Sequence, residues 1–259
     1  MKNTSLPTRL TGYSSSGLYL DLLKRCLMNF IYQDPNTAPW LDPKFESSAR
    51  ENGQDWPRDA HTMVGVHRLN NLQACAETLL GEGVEGDFVE TGVWRGGASI
   101  FLRGLLAAHG VTDRTVWVAD SFEGLPPPDP EKYPDDAGDN HHEVEFLAVS
   151  LEQVQDHFDR YGLLDDQVRF LKGWFRDTLP AARIERIGLL RLDGDMYEST
   201  HDALINLYHK VVPGGFIIVD DYSVVPGCKK AADDFRSAHG IEDPITYIDW
   251  AGAFWRKRI

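Results

Sequence analysis

The chain has 259 residues, 42% apolar and 25% charged, with 40 acidic side chains against 26 Lys and Arg and a formal net charge of −14. This acidity argues against nucleic-acid binding through phosphate contacts and against docking on an anionic membrane surface, both of which draw on Lys and Arg. The densest basic stretch, WRKRI at the C-terminus, reads as a solvated chain end.

Length fits one large domain with ample material for a core. Cys26, Cys75 and Cys228 lie far apart and form no C-x-x-C pair, so free thiols in a reducing compartment are expected. No apolar run approaches the ~20 residues of a membrane span. MKNTSLPTRLTGYSSSG, residues 1–17, reads as a polar leader without a signal-peptide core, and the expected location is the cytoplasm.

The first periodic segment is LYLDLLKRCLMNFIY, Leu18–Tyr32, with Leu20, Leu23, Leu27, Phe30 and Ile31 on one helical face. QDPNTAPWLDPKF then breaks any helix. A second helical region spans about His61 to Leu80. Residues 18–80 thus read as an N-terminal helical cap, and the remainder, 81–259, has a different character.

There the chain alternates. Strands are expected at Asp87–Gly92, Thr115–Ser121, Gln167–Gly173, Ile187–Asp195 and Gly215–Asp221, and helices at Ala98–His109, Leu151–Tyr161 and Tyr197–Lys210. Ser150 with Gln153 three residues on fits a capping box. Alternating strand and helix means a parallel sheet covered on both faces. ITYIDW and AFWRKR around Ala251-Gly252 read as a terminal antiparallel hairpin. The fold expected is α/β: a doubly wound, mostly parallel sheet of seven strands ending in that hairpin.

Glu123–Ala148 carries five prolines and many acids and reads as a long loop after the second strand. Loops this long in compact domains serve as lids or are disordered. Because ligands bind beyond the C-terminal strand ends of open α/β sheets, a lid over the site is expected.

Three features carry chemistry. In VETGVWRGGAS the glycines are spaced G-x-x-x-G-G, not as the dinucleotide fingerprint G-x-G-x-x-G, and suit a ligand without phosphates. Glu90 beside that turn would repel phosphate and favour an ammonium group. Asp120 ends the second strand, where a carboxylate commonly accepts hydrogen bonds from ribose hydroxyls, although it also fits a helix N-cap. Together they describe S-adenosylmethionine, an adenosine-bearing ligand with a charged, phosphate-free end.

The third feature is a set of carboxylates. LLRLDGD ends the fourth strand with Asp193 and Asp195, and FIIVDD ends the fifth with Asp220 and Asp221. Neighbouring parallel strands lie ~4.8 Å apart, so Asp193 could meet the Asp220–Asp221 pair. Three such carboxylates repel one another unless a cation such as Mg²⁺ lies between them. Asp195 reads as a cap or turn residue. Successive strand residues face opposite ways, so the doublet also predicts that regular structure breaks at Asp220–Asp221. Because that break falls at the ligand-binding edge, neither aspartate needs to be buried. His61, His141 and His142 have no ligand spacing, and the latter two read as loop surface. Trp174 and Phe175 could stack on an adenine or pack in the core.

HTMVG, ETGVWRGGASIF, WVADSFEG, LLDDQVRFLKGWFRDTLP, LRLDGDMYEST and PGGFIIVDDY together resemble the macrocin O-methyltransferase family, over most of the chain from Leu18 to AFWRKR. The resemblance implies a class I, Rossmann-like methyltransferase fold over 81–259, with S-adenosylmethionine and Mg²⁺. It implies that Asp193, Asp220 and Asp221 hold the metal and that Asp193 is the catalytic base. It places Glu90, Thr91, Gly92, Trp94 and Ser99 at the cofactor loop and Asp120 and Ser121 at the ribose. Trp174 and Phe175 would flank the adenine, with Thr62 and Met63 at the methionine end.

The substrate implied is a hydroxyl of a (deoxy)sugar on a glycosylated natural product such as an antibiotic, and the enzyme is expected to act as a homo-oligomer, a dimer or higher. The alternative is a catechol or other phenol. A nicotinamide-dependent dehydrogenase is disfavoured by the glycine spacing, and a non-catalytic binding module by the assembled carboxylates.

Overall fold

A computed structural model describes residues 14–258. The leader expected over 1–17 lies mostly outside them, and its last residues, Ser15–Gly17, already belong to the first helix, α1 (Ser15–Leu27), which Ser14 caps through the Gly17 N–H. Two further helices follow: α2 (Ser47–Glu51), a short turn inside the segment expected to be loop, and α3 (Gly65–Glu82). Then come β1 (Asp87–Thr91), α4 (Gly97–Ala108), β2 (Val116–Asp120), α5 (Leu151–Arg160), β3 (Val168–Lys172) and the short α6 (Phe175–Thr178). The chain finishes with β4 (Ile187–Leu192), α7 (Tyr197–Leu207), β5 (Val211–Val219), α8 (Pro226–Ala238), β6 (Thr246–Tyr247) and β7 (Ala253–Arg256).

The seven strands form one sheet in the order β3-β2-β1-β4-β5-β7-β6. The first five are parallel. β7 runs antiparallel to β5 and to β6, which is the expected terminal hairpin.

Alternation along the strands divides the core into two layers. Phe88, Val118, Leu189, Phe216 and Ile218 face one layer with α1, α3, α4 and α5. Val89, Ala119, Leu190, Ile217 and Val219 face the other, with α7 and α8. A strand that buries both faces needs apolar residues at successive positions, which is why these segments read as continuous apolar runs. At about 25 cal/mol per Å² of apolar area, burial of this extent supplies the main driving force for folding.

The cap segment 18–80 therefore does more than cover a site, because α1 and α3 form much of one layer. The capping box is present, with Ser150 Oγ accepting from the Gln153 N–H and Gln153 Oε1 accepting from the Ser150 N–H. Helix α8 was not anticipated, although Cys228, Ala231, Ala232 and Phe235 in PGCKKAADDFRSA keep helical spacing and are buried, and its start is set by Pro226 at the first helical position.

The 123–148 segment holds three isolated 3₁₀ turns and no longer element. It is tied down at both halves. Asp136, buried, caps α7 by accepting from the Tyr197 N–H (2.6 Å) and the Glu198 N–H (2.9 Å). Phe146 stacks on Trp56 with ring centroids 5.3 Å apart, and its carbonyl accepts from Trp94 Nε1 at 2.9 Å.

Candidate active site

The C-terminal ends of the parallel strands open into a cavity of about 860 Å³, walled in part by the 40–68 segment and the 124–147 loop. This is within the range of small-molecule sites. Its walls include Thr62, Met63, Glu90, Gly92, Trp94, Asp120, Ser121, Trp174, Phe175, Asp193, Asp220 and Asp221, so most residues singled out from sequence converge here. Thr91 and Ser99 do not: both are buried behind the wall, Ser99 donating to Glu90 and Thr91 Oγ1 lying 3.5 Å from the Arg191 carbonyl.

Turn geometry places the cofactor-side residues. Gly92 has φ +83°, and a side chain there would overlap the Asp193 carbonyl oxygen across the β1–β4 boundary. Gly97 starts α4 where any Cβ would meet the His61 carbonyl. Asp120 at the tip of β2 accepts from the Val93 N–H (2.7 Å) and the Phe122 N–H (2.7 Å), which joins the turns after β1 and β2. It is no helix cap, since no helix begins there. Burial raises its pKa against these donors. Three non-glycine residues with positive φ, Trp94, Phe122 and Asp195, follow β1, β2 and β4, and such strain concentrates at functional sites.

Ligand-atom positions on Asp193, Asp220 and Asp221 lie within 4.8 Å of one another. Regular structure breaks where expected: β5 stops at Val219, and Asp220 begins a turn. The expectation that neither aspartate needs burial fails for Asp220, which is 2% exposed. It is tolerated there because it is paired twice. Arg191 Nη2 donates to Oδ1 at 2.5 Å, and Arg68 Nη1 donates to Oδ2.

Arg191 is the hub of the floor. It also donates to Glu90 Oε1 (2.5 Å) and Asp193 Oδ2 (2.8 Å), so Glu90 faces the cavity with its charge already engaged by Arg191 and Ser99. A charge within a strand covered on both faces is costly unless paired, so the arginine in LLRLDGD was a readable signal that the sequence analysis missed. Arg68 carried no such signal, because only tertiary packing brings α3 to Asp220.

The carboxylates differ in protonation. Burial raises the Asp220 pKa, but Arg191 and Arg68 more than reverse it and leave it below the usual range. Asp193 is raised by burial, with Arg191 opposing and Asp220 reinforcing. Asp221 is raised well above the carboxylate range by burial and by Asp195, Asp193 and Asp220, and its buried Oδ2 has no hydrogen-bond partner. Burial and Asp193 push Asp195 up to about 7. An orphaned carboxylate oxygen beside two further carboxylates is a donor set that fits a hard divalent cation.

His141 departs from its reading as loop surface. It lines the cavity and bonds Asp139 Oδ2 through Nδ1 at 2.8 Å. His142 is part-buried. His61 packs against His157 with ring planes tilted by 37° and contacts the Tyr161 hydroxyl at 2.8 Å, and burial with the neighbouring His157 and Arg95 lowers its pKa to about 4, so it is neutral at pH 7.

A seven-stranded sheet with its last strand antiparallel, a glycine turn after β1, a carboxylate at the tip of β2 and a pocket across the parallel strand ends together define a class I methyltransferase fold. The comparisons narrow this. The family model described as Macrocin-O-methyltransferase (TylF) matches residues 16–257. The chain is 56% identical over 241 residues to the 8-demethyl-8-(2,3-dimethoxy-alpha-L-rhamnosyl)-tetracenomycin-C 4'-O-methyltransferase of Streptomyces olivaceus, covering 92% of each chain. It is 54% identical over 245 residues to the mycinamicin III 3''-O-methyltransferase of Micromonospora griseorubida, covering 93% of this chain and 96% of the relative. The solved O-methyltransferase NovP superposes with a TM-score of 0.85 at 48% identity, over 94% of this chain and all of that one. Calicheamicin methyltransferase CalS11, at 19% identity and a TM-score of 0.60, shares the fold, covering 98% of this chain and 99% of that one.

The chain belongs to the macrocin O-methyltransferase (TylF) family and is an O-methyltransferase. Class I membership implies S-adenosylmethionine as methyl donor. Among the described residues no helix is long and apolar enough to cross a membrane.

Proposed function

We propose that the enzyme transfers a methyl group from S-adenosylmethionine to a sugar hydroxyl of a glycosylated natural product, with Mg²⁺ held by Asp193, Asp220 and Asp221. The observation that carries the metal assignment is the cluster of three carboxylates within 4.8 Å, one of them with a buried oxygen that no group among the described residues satisfies. The substrate class is supported by close relatives, which are named for O-methylation of a rhamnosyl tetracenomycin, of mycinamicin III and of demethyldecarbamoylnovobiocin.

Bound there, Mg²⁺ supplies Lewis acidity that lowers the pKa of a sugar hydroxyl. The protein's own groups do the rest. Asp193, beside the cavity, accepts the hydroxyl proton. Asp120 orients the ribose of the donor. Trp174 and Phe175 bracket the adenine, and Thr62 and Met63 close over the methionine end. The 124–147 loop and the 40–68 segment exclude water. Most of the rate then comes from holding the hydroxyl oxygen and donor methyl in line.

Calorimetry tests this reading. Adenosylhomocysteine should bind, NAD⁺ should not, and Mg²⁺ should bind with one site per chain. Binding of NAD⁺, or no Mg²⁺ heat with adenosylhomocysteine present, would contradict it.

A further inference from the structure

Arg68 takes an unusual route. It leaves α3 on the N-terminal side and passes between two glycines to reach the acidic cluster. A Cβ at Gly53 would overlap its Nη2, and one at Gly252 would come within 3.2 Å of its Cδ. Along this channel the guanidinium meets three separate parts of the chain. Nη2 donates to the Gly53 carbonyl at 3.2 Å, Nε pairs with Asp249 Oδ2 at 3.2 Å without hydrogen-bond alignment, and Nη1 donates to Asp220 Oδ2. Asp249 in turn fixes the β6–β7 turn, its Oδ1 accepting from the Ala251 (2.9 Å) and Gly252 (2.8 Å) N–H groups.

We propose that Arg68 is a positioning residue for the cation site: it holds Asp220 in its ligating orientation. This rests on the Mg²⁺ assignment above. A planar fork is required because three acceptors from three segments must be met at once, which a lysine ammonium on a flexible stem cannot match.

The sign of one measurement separates positioning from simple charge. Arg68 is a cation beside a cation site, so if its charge alone mattered, removing it would tighten Mg²⁺ binding. If it orients Asp220, removing it weakens Mg²⁺ binding. In calorimetry on the full chain saturated with adenosylhomocysteine, R68Q should bind Mg²⁺ about tenfold more weakly, the scale of one charge-assisted hydrogen bond. R68K should also weaken it, although the charge is kept.

W250F serves as the structural comparison. It removes a 2.7 Å bond from Trp250 Nε1 to the Asn52 carbonyl, joining the same turn to the same segment without touching Asp220. It should leave Mg²⁺ affinity unchanged within about twofold. Tighter or equal Mg²⁺ binding by R68Q, or by R68K should R68Q not fold, would overturn the proposal. Equal losses in W250F and R68Q would show a mere structural clamp and overturn it too. Absence of Mg²⁺ binding by the unsubstituted protein would instead defeat the metal assignment itself.

Discussion

Asn in place of Asp220 and Asn in place of Asp221 make the same isosteric change at adjacent positions, yet only the first should cost stability. Asp220 is 2% exposed and shared by two buried guanidiniums. Removing one partner of a buried pair costs about 3–5 kcal/mol, because it leaves the other charge uncompensated. The lower end applies here, since Arg191 keeps Glu90 and Asp193, and Arg68 keeps Asp249. For a chain near this size each kcal/mol lowers Tm by ~2–4 °C, so D220N should melt ~6–12 °C lower.

Asp221 has a buried oxygen with no partner and is surrounded by like charges that push its pKa up. Held protonated well past the usual carboxylate range, it loses no pairing and little charge on substitution by Asn, so D221N should melt at or above the unsubstituted temperature in EDTA at pH 7.5. Both variants should lose turnover while keeping adenosylhomocysteine affinity. Thermal unfolding monitored by circular dichroism in EDTA decides the matter. A large drop for D221N, or none for D220N, would refute the assignment of arginine pairing to one aspartate and exposed demand for a cation to the other.

Gly92→Ala combines an unfavourable positive φ with overlap on the Asp193 carbonyl and should cost more than about 2 kcal/mol, read by denaturant unfolding, together with most activity. Asp120→Asn should weaken adenosylhomocysteine by ~10–100-fold in calorimetry, the value of a charged hydrogen bond. Because Asp193 and Asp221 retain protons to higher pH than ordinary carboxylates, a cation must displace them. Mg²⁺ affinity should therefore rise with pH and be lost as pH falls. Calorimetry in buffers of different ionisation heat should show proton release at pH 7, and zero release would contradict the shifts.

The sheet was legible because its strands bury both faces, which forces apolar runs such as FIIV and IGLL between glycine-rich punctuation. The strand ends were legible because Asp193 and the Asp220–Asp221 doublet interrupt those runs at corresponding positions. What escaped depends on distant packing. Helix α8 buries Cys228, Ala231, Ala232 and Phe235 at helical spacing, but three of the four are small and sit among Lys and Asp, so the stripe is faint in the sequence. Arg68 is one polar residue on α3 until the fold brings Asp220 to it. His141 reads as surface until Asp136 anchors its loop on α7. The burial of Asp220 was missed for the same reason: its two arginines come from β4 and α3, and only the assembled fold supplies both.

The central claim is cation-assisted methylation of a sugar hydroxyl, and product analysis by tandem mass spectrometry tests it most directly. The enzyme is incubated with S-adenosylmethionine and a panel of glycosylated aromatic polyketides and macrolides, alongside catechol. One set contains EDTA, and a duplicate has Mg²⁺ restored in excess. The account predicts a single added methyl on the sugar fragment, lost with EDTA and recovered with Mg²⁺. Full turnover in EDTA, or methylation confined to the catechol, would contradict it.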